Sequence, residues 1–190
     1  MAHEVFDEHA DDYDRWFDEH RDEYLAELSR IRHVLPAPDS RTLEVGVGSG
    51  RFAAPLGIRI GIEPSRALCR PARTRGIDIV QGVAESLPFR NESFSSVLLV
   101  TVICYLDDPG AAFAELHRVL IPGGTLVVAF IERGGAIHRN YFVEETKGRF
   151  LSRARFYSNK EVGTFLTAAG FTVITIDTRV GFCIIVSRKE

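Results

Sequence analysis

Three carboxylates stand where a ligand could meet them. Glu44, Glu63 and Glu85 each fall at or just beyond an apolar, strand-like run, and a glycine-rich turn, Gly46-Val47-Gly48-Ser49-Gly50, lies between the first two. Glycine at every second position removes side chains where a ligand must lie against the backbone. A helix expected over Ser49–Leu56 would offer its unpaired N–H groups to an anionic part of that ligand. Glu44, two residues before the first glycine, would repel phosphate there and suits an ammonium or sulfonium group instead. Glu63 follows Gly46 by 17 residues and has the geometry to accept two hydrogen bonds from a ribose diol. An ordinary glycine-rich turn and a surface acid are the plainer readings of the same residues.

These groups need a scaffold. Apolar spacing predicts a helical segment from Glu4 to Val34, ended by Pro36-Ala37-Pro38. Strands then alternate with helices. The strands are Thr42–Gly46, Ile58–Ile62, Asp78–Gln81, Phe94–Thr101 and Thr125–Phe130; helices are expected over Ser65–Arg73 and Pro109–Leu120, with Pro71 as a kink or early end of the former. Val97-Leu98-Leu99-Val100 reads as a strand buried on both faces. Pro122-Gly123-Gly124 should be a tight turn, and Ser158–Ala169 a helix closed by Gly170. Phe171–Ile176 and Phe182–Ser187 are too close together for a crossover helix, so they should form an antiparallel hairpin. The expected fold class is α/β: a doubly wound, mostly parallel seven-stranded sheet with a C-terminal antiparallel hairpin, Rossmann-like. In such sheets ligands sit beyond the carboxyl ends of the strands.

The 190 residues suit one domain. Its expected parts are an N-terminal helical lid or cap (1–36), a cofactor-binding half (37–130), a substrate-side insertion (131–157) and a closing helix and hairpin (158–190). The formal net charge of −3 gives no broad pull toward nucleic acid, so none is expected as a partner. No run is long enough to span a bilayer, and the three dispersed cysteines lack metal-ligand spacing. A cytoplasmic protein without a membrane or metal partner is the expectation; a monomer and a homodimer stay equally open.

Further phrases narrow the class. Glu44 with Gly46-x-Gly48-x-Gly50 resembles motif I of the class I S-adenosylmethionine-dependent methyltransferases; the dinucleotide fingerprint has its last glycine one place later, where Arg51 stands. Gly82-Val83-Ala84-Glu85-Ser86-Leu87-Pro88-Phe89 resembles the G-x-A-x-x-L-P-F phrase of the ubiquinone-biosynthesis type small-molecule methyltransferases. Leu116 to Gly124 resembles that family's L-x-R-V-L-x-P-G-G phrase, and Tyr13-Asp14-Arg15-Trp16-Phe17 its Tyr-Asp-x-x-Phe/Trp segment. The resemblance runs from Tyr13 to Gly124 and then weakens.

It implies S-adenosylmethionine as cofactor, S-adenosylhomocysteine as product and a small-molecule methyl acceptor. By the same resemblance Glu44, Gly46, Val47, Gly48, Gly50, Glu63, Pro64, Ala84, Glu85, Thr101, Val102 and Tyr13 belong to the cofactor site. Ala84 would present its N–H to an adenine nitrogen, and Glu85 would meet the exocyclic amine. Trp16, Phe17, Tyr105 and Tyr141 are the candidates facing the acceptor. A general base is needed only for a protonated nucleophile; His138, Tyr141, Tyr13 and Glu132 are the candidates. Tyr13 to Phe17 reads equally as a lid or as a solvated cap. A cofactor-binding regulatory protein without turnover is the alternative function, and a nicotinamide dehydrogenase is disfavoured by the turn and the hairpin.

Overall fold

The computed structural model describes residues 4–140 and 149–190. Three short helices open the chain: α1 (Glu4–Glu8), α2 (Ala10–Glu19) and α3 (Arg21–Val34). The single long helix expected from the apolar stripes is thus broken at His9 and His20. The breaks let the apolar faces of α2 and α3 turn separately onto the domain, burying Phe17, Tyr24, Leu28 and Ile31.

The sheet is built from β1 (Thr42–Val45), β2 (Ile60–Glu63), β3 (Asp78–Gln81), β4 (Phe94–Val100), β5 (Leu120–Ile131), β6 (Phe171–Arg179) and β7 (Phe182–Lys189). Its order is β3-β2-β1-β4-β5-β7-β6. The first five strands pair in parallel, while β7 lies antiparallel between β5 and β6. Strand order reverses between β1 and β4, which places a crevice beyond the ends of those two strands. The helices α4 (Ala53–Leu56), α5 (Arg66–Thr74), α6 (Pro109–Val119), α7 (Ala136–Asn140) and α8 (Asn159–Ala168) complete the described chain. Two apolar cores result, one containing Leu99, Phe113 and Phe130 and the other containing Phe17, Ile31 and Phe182.

Several boundaries shift for local reasons. The helix expected over Ser49–Leu56 begins only at Ala53, so the turn before it spends its N–H groups elsewhere. Pro71 does not end α5 early: the helix runs to Thr74. The Pro122-Gly123-Gly124 segment is an irregularity inside β5, where pairing with β4 slips between Phe94 and Ser96. The hairpin turn shrinks to Val180-Gly181, both at positive φ (55° and 86°), so its strands are longer than the residue pattern suggests. The cap of α8 is a full capping box: Ser158 Oγ accepts from the Glu161 N–H, and Glu161 accepts from the Ser158 N–H.

Candidate functional site

The turn after β1 is anchored to β2. The N–H groups of Gly46 and Val47 both donate to Ile62 O, at 2.8 and 3.1 Å. Gly46 and Gly48 take φ of 68° and 57°, a region L side chains rarely adopt. A Cβ at Gly46 would stand 2.3 Å from Val102 Cγ2, and one at Gly48 would stand 3.1 Å from the Tyr13 hydroxyl. Glycine here keeps open the space between the turn, the end of β4 and α2.

Glu63 ends β2 inside this space. Its Oε2 accepts from the Gly48 N–H at 2.8 Å and its Oε1 from the Ser65 N–H at 2.9 Å. The carboxylate therefore fixes the turn to the start of α5 and keeps lone pairs for a ligand. Burial pushes its pKa up from 4.5 to about 7, against the pull of those two N–H donors. Glu44 is also buried, and its pKa is raised well above the carboxylate range by that burial and by the nearby Glu63 charge. Among the described residues nothing hydrogen-bonds its Oε2.

A cavity with an empty volume of about 930 Å³, counted to its open mouth, occupies the crevice. Gly46, Gly48, Glu63, Pro64, Ala84, Glu85, Thr101, Val102 and Tyr13, all expected at the cofactor, lie on its wall. Glu44, Val47 and Gly50 do not: Glu44 stands in β1, Val47 packs against Gly61, and Gly50 faces Ala72 and Ile77. Glu85 Oε1 accepts from the Asp107 N–H at 3.0 Å, joining the loops after β3 and β4. The Leu87-Pro88-Phe89 segment is held by Arg118, which donates to Leu87 O at 2.9 Å and Phe89 O at 2.8 Å while paired with Glu115 at 2.7 Å. Two phrases read separately in the sequence thus form one clamp. Residue patterns missed this clamp, and they missed Phe6 and Leu106 on the cavity wall.

A second cavity, with an empty volume of about 690 Å³ counted to its open mouth, adjoins the first and shares Tyr13, Thr101 and Tyr105 with it. Trp16 and Phe17, the expected acceptor-facing residues, line it together with Phe150. Thr101 sits at the junction with φ 56°, a strained conformation for a β-branched residue. Its carbonyl accepts from the Cys104 thiol at 3.0 Å. Tyr13 is held neutral: burial and the neighbouring Glu63 and Glu44 charges raise its pKa beyond the phenol range.

Other candidates fall away from these cavities. His138 lines neither; its Nδ1 accepts from the Gly134 N–H at 3.2 Å and its ring packs on Phe156. Glu132 lines neither and accepts from the Asn159 N–H at 3.2 Å. Tyr141 lies outside the described residues.

Helices α1 and α2 cover the crevice and are tied down. Asp7 Oδ1 accepts from Ser65 Oγ at 2.7 Å and from the Ala67 N–H at 3.1 Å. Arg51 pairs with Asp14 at 2.8 Å and Asp18 at 2.7 Å, and Arg75 pairs with Asp14 at 2.8 Å. Burial opposes ionisation of Asp14, but the two guanidinium groups outweigh it and hold its carboxyl well below the usual range.

A parallel sheet with this strand order, a glycine turn after β1, an acid ending β2 and an antiparallel closing hairpin define the Rossmann-like methyltransferase class. Residues 43–128 match the family model described as a methyltransferase domain. A solved structure from Thermotoga maritima, titled a SAM-dependent methyltransferase and possible histamine N-methyltransferase, superposes with a TM-score of 0.91. It is 36% identical, with 100% of both chains covered. An uncharacterised protein of Methanocaldococcus jannaschii is 38% identical over 168 residues, covering 88% of this chain and 80% of that one. A demethylmenaquinone methyltransferase of Renibacterium salmoninarum is 33% identical over 98 residues, covering 48% of this chain and 41% of that one. The chain spans 58% of the length of its mycobacterial relatives. The chain belongs to the S-adenosylmethionine-dependent methyltransferases, and S-adenosylmethionine is its cofactor. The glycine cradle and the Glu63 carboxylate on the cavity wall fit a ligand that lies against the turn and donates hydrogen bonds from a diol. No described helix is long and apolar enough to cross a membrane.

Proposed function

We propose that the chain methylates a small molecule, with the cofactor in the first cavity and the acceptor in the second. The observation that carries this reading is the meeting of the two cavities at Tyr13, Thr101 and Tyr105. Glu63 would accept from the ribose hydroxyls, and Gly46 and Gly48 would let the ligand rest on the backbone. Ala84 and Glu85 would read the adenine, and Thr101 and Val102 would flank the methionine portion. When bound, S-adenosylmethionine supplies an activated methyl group on a sulfonium. The chain's own part is then alignment and exclusion of water. Tyr13, a neutral phenol at the junction, would offer the acceptor a hydrogen-bond donor rather than serve as a base. Helices α1 and α2, within residues 1–36, would form the lid, and residues 131–157 the acceptor side. Family membership and the carboxylates at the turn support turnover over a purely regulatory role.

The test is transfer of labelled methyl from S-adenosylmethionine to acceptors in a metabolite extract, with nucleic acid and protein fractions as separate arms. Label entering only the macromolecular fractions would sink the small-molecule reading.

A further inference from the structure

Resting on the reading just given, we infer that Cys104 is a positioning residue: from behind the cavity walls its thiol holds Thr101 in a left-handed backbone, and so sets how cofactor and acceptor meet. Cys104 is 6% exposed and lines neither cavity, whereas Thr101 lines both. Whatever Cys104 does to a ligand it does through Thr101.

Thr101 is the first residue beyond β4, and its φ of 56° is one that a β-branched side chain disfavours. Such a conformation lasts only where its surroundings hold it. Three hydrogen bonds do so. The Thr101 N–H donates to Ala129 O at 2.7 Å, and the Thr101 hydroxyl donates to Val100 O at 2.8 Å. Both act on the strand side of the residue. The Cys104 thiol, 3.0 Å from Thr101 O, acts on the peptide that follows and leads to Val102. Burial pushes this thiol up to about 12, so it keeps its proton and stays a donor at neutral pH.

The direction of that peptide matters on both sides of the junction. Val102 lines the cofactor cavity and packs over Gly46, where a Cβ would stand 2.3 Å from Val102 Cγ2. Were Thr101 to relax to a negative φ, Val102 would swing and the wall at the methionine portion would move with it. The acceptor side hangs on the same turn. Ile103–Tyr105 is a single 3-10 turn; Cys104 O accepts from the Arg155 N–H at 2.8 Å, and the Tyr105 hydroxyl donates to Phe150 O at 3.3 Å. Phe150 and Leu151 line the second cavity.

A buried cysteine is ordinarily a small apolar filler, and the test separates that role from positioning. Calorimetry first measures S-adenosylhomocysteine on the unaltered chain; no binding there would overturn the reading on which this inference rests. Cys104→Ala, which removes the donor, should weaken binding about fivefold or more, while Cys104→Ser, which keeps a donor, should stay within about twofold of the unaltered chain. The alanine substitution is then repeated in Thr101→Gly. Glycine takes this φ without strain and needs no thiol to hold it, so the loss on removing Cys104 should shrink below about twofold. Thermal unfolding checks that each variant folds; if Cys104→Ala does not, Cys104→Val, which fills the volume without a donor, replaces it in both backgrounds. Unchanged affinity in Cys104→Ala, an equal loss in Cys104→Ser, or an equal loss in the Thr101→Gly background would each overturn the inference.

Discussion

At the residue scale, Glu63 joins structure and chemistry. Its two oxygens hold the N–H groups of Gly48 and Ser65, so one carboxylate shapes the turn and faces the ligand. Glu63→Ala should weaken S-adenosylmethionine and S-adenosylhomocysteine alike by about 1.5–3 kcal/mol, since both carry the same ribose. A loss confined to one ligand in calorimetry would take the carboxylate off the ribose. Its raised pKa of about 7 fixes the sign of two pH effects. In the free protein this acid contributes stability that is full below its ordinary 4.5 and lost as pH rises through about 7. A ribose diol donates to the ionised form, so S-adenosylhomocysteine should bind more tightly as pH rises through the same window, with release of a proton. Titrations in buffers of differing ionisation enthalpy would show that release; affinity flat across the window would place the ribose elsewhere. Gly48→Val should abolish binding while circular dichroism still reports a folded chain. A branched side chain at φ 57° costs about 1–2 kcal/mol and fills the space before the Tyr13 hydroxyl. Unchanged affinity would remove the turn from the site.

At the element scale, the patterns that residue spacing encodes were legible and the long-range ties were not. The period-2 and buried runs of β1, β4 and β7 announce strands because burial on both faces needs uninterrupted apolar residues. The glycine turn was legible because few residue types fit its backbone, and the Ala84-Glu85 loop through the resemblance of its phrase to a family pattern. The breaks at His9 and His20 were not: both lie within continuous helical spacing, and only packing against the domain decides where α1, α2 and α3 turn. Arg51 appears in the sequence merely as the residue that spoils a dinucleotide fingerprint, yet it grips Asp14 and Asp18, 37 and 33 positions away. Arg118 is similar: its neighbours mark a helix end, while its guanidinium bonds Leu87 O and Phe89 O. Arg118→Met should therefore lower stability by about 1–3 kcal/mol through those orphaned carbonyls and the unpaired Glu115. Hydrogen exchange should rise in residues 85–91, because that loop loses its clamp. Exchange rising evenly over the molecule would show a general packing defect instead.

At the scale of the whole molecule, the N-terminal helices decide how the cofactor enters. The Tyr13 hydroxyl lies against Gly48, and Phe6 and Tyr13 form part of the cavity wall. The same segment is fastened by Asp7 to the start of α5, by Asp14 and Asp18 to Arg51, and by Phe17 to the second core. Phe17 is only 6% exposed, so removing this segment would cost core packing as well as any lid function, and truncation is a poor test. Loosening the latch is a better one. The lid we propose must lift before a ligand of the cofactor's size can pass Tyr13. Entry should then be limited by opening: the rate followed by Trp16, the only tryptophan of the chain, should level off as S-adenosylhomocysteine concentration rises. Arg51→Met removes the partner of Asp18 and one of the two guanidinium partners of Asp14, leaving Arg75 on Asp14, and should raise the plateau rate. Salt should raise it less, because it screens the exposed Asp18 pair but only weakly the Arg51–Asp14 pair, whose side chains are 17% and 24% exposed. A rate that grows linearly with concentration and is the same in the variant would show that α1 and α2 are a fixed wall of the site.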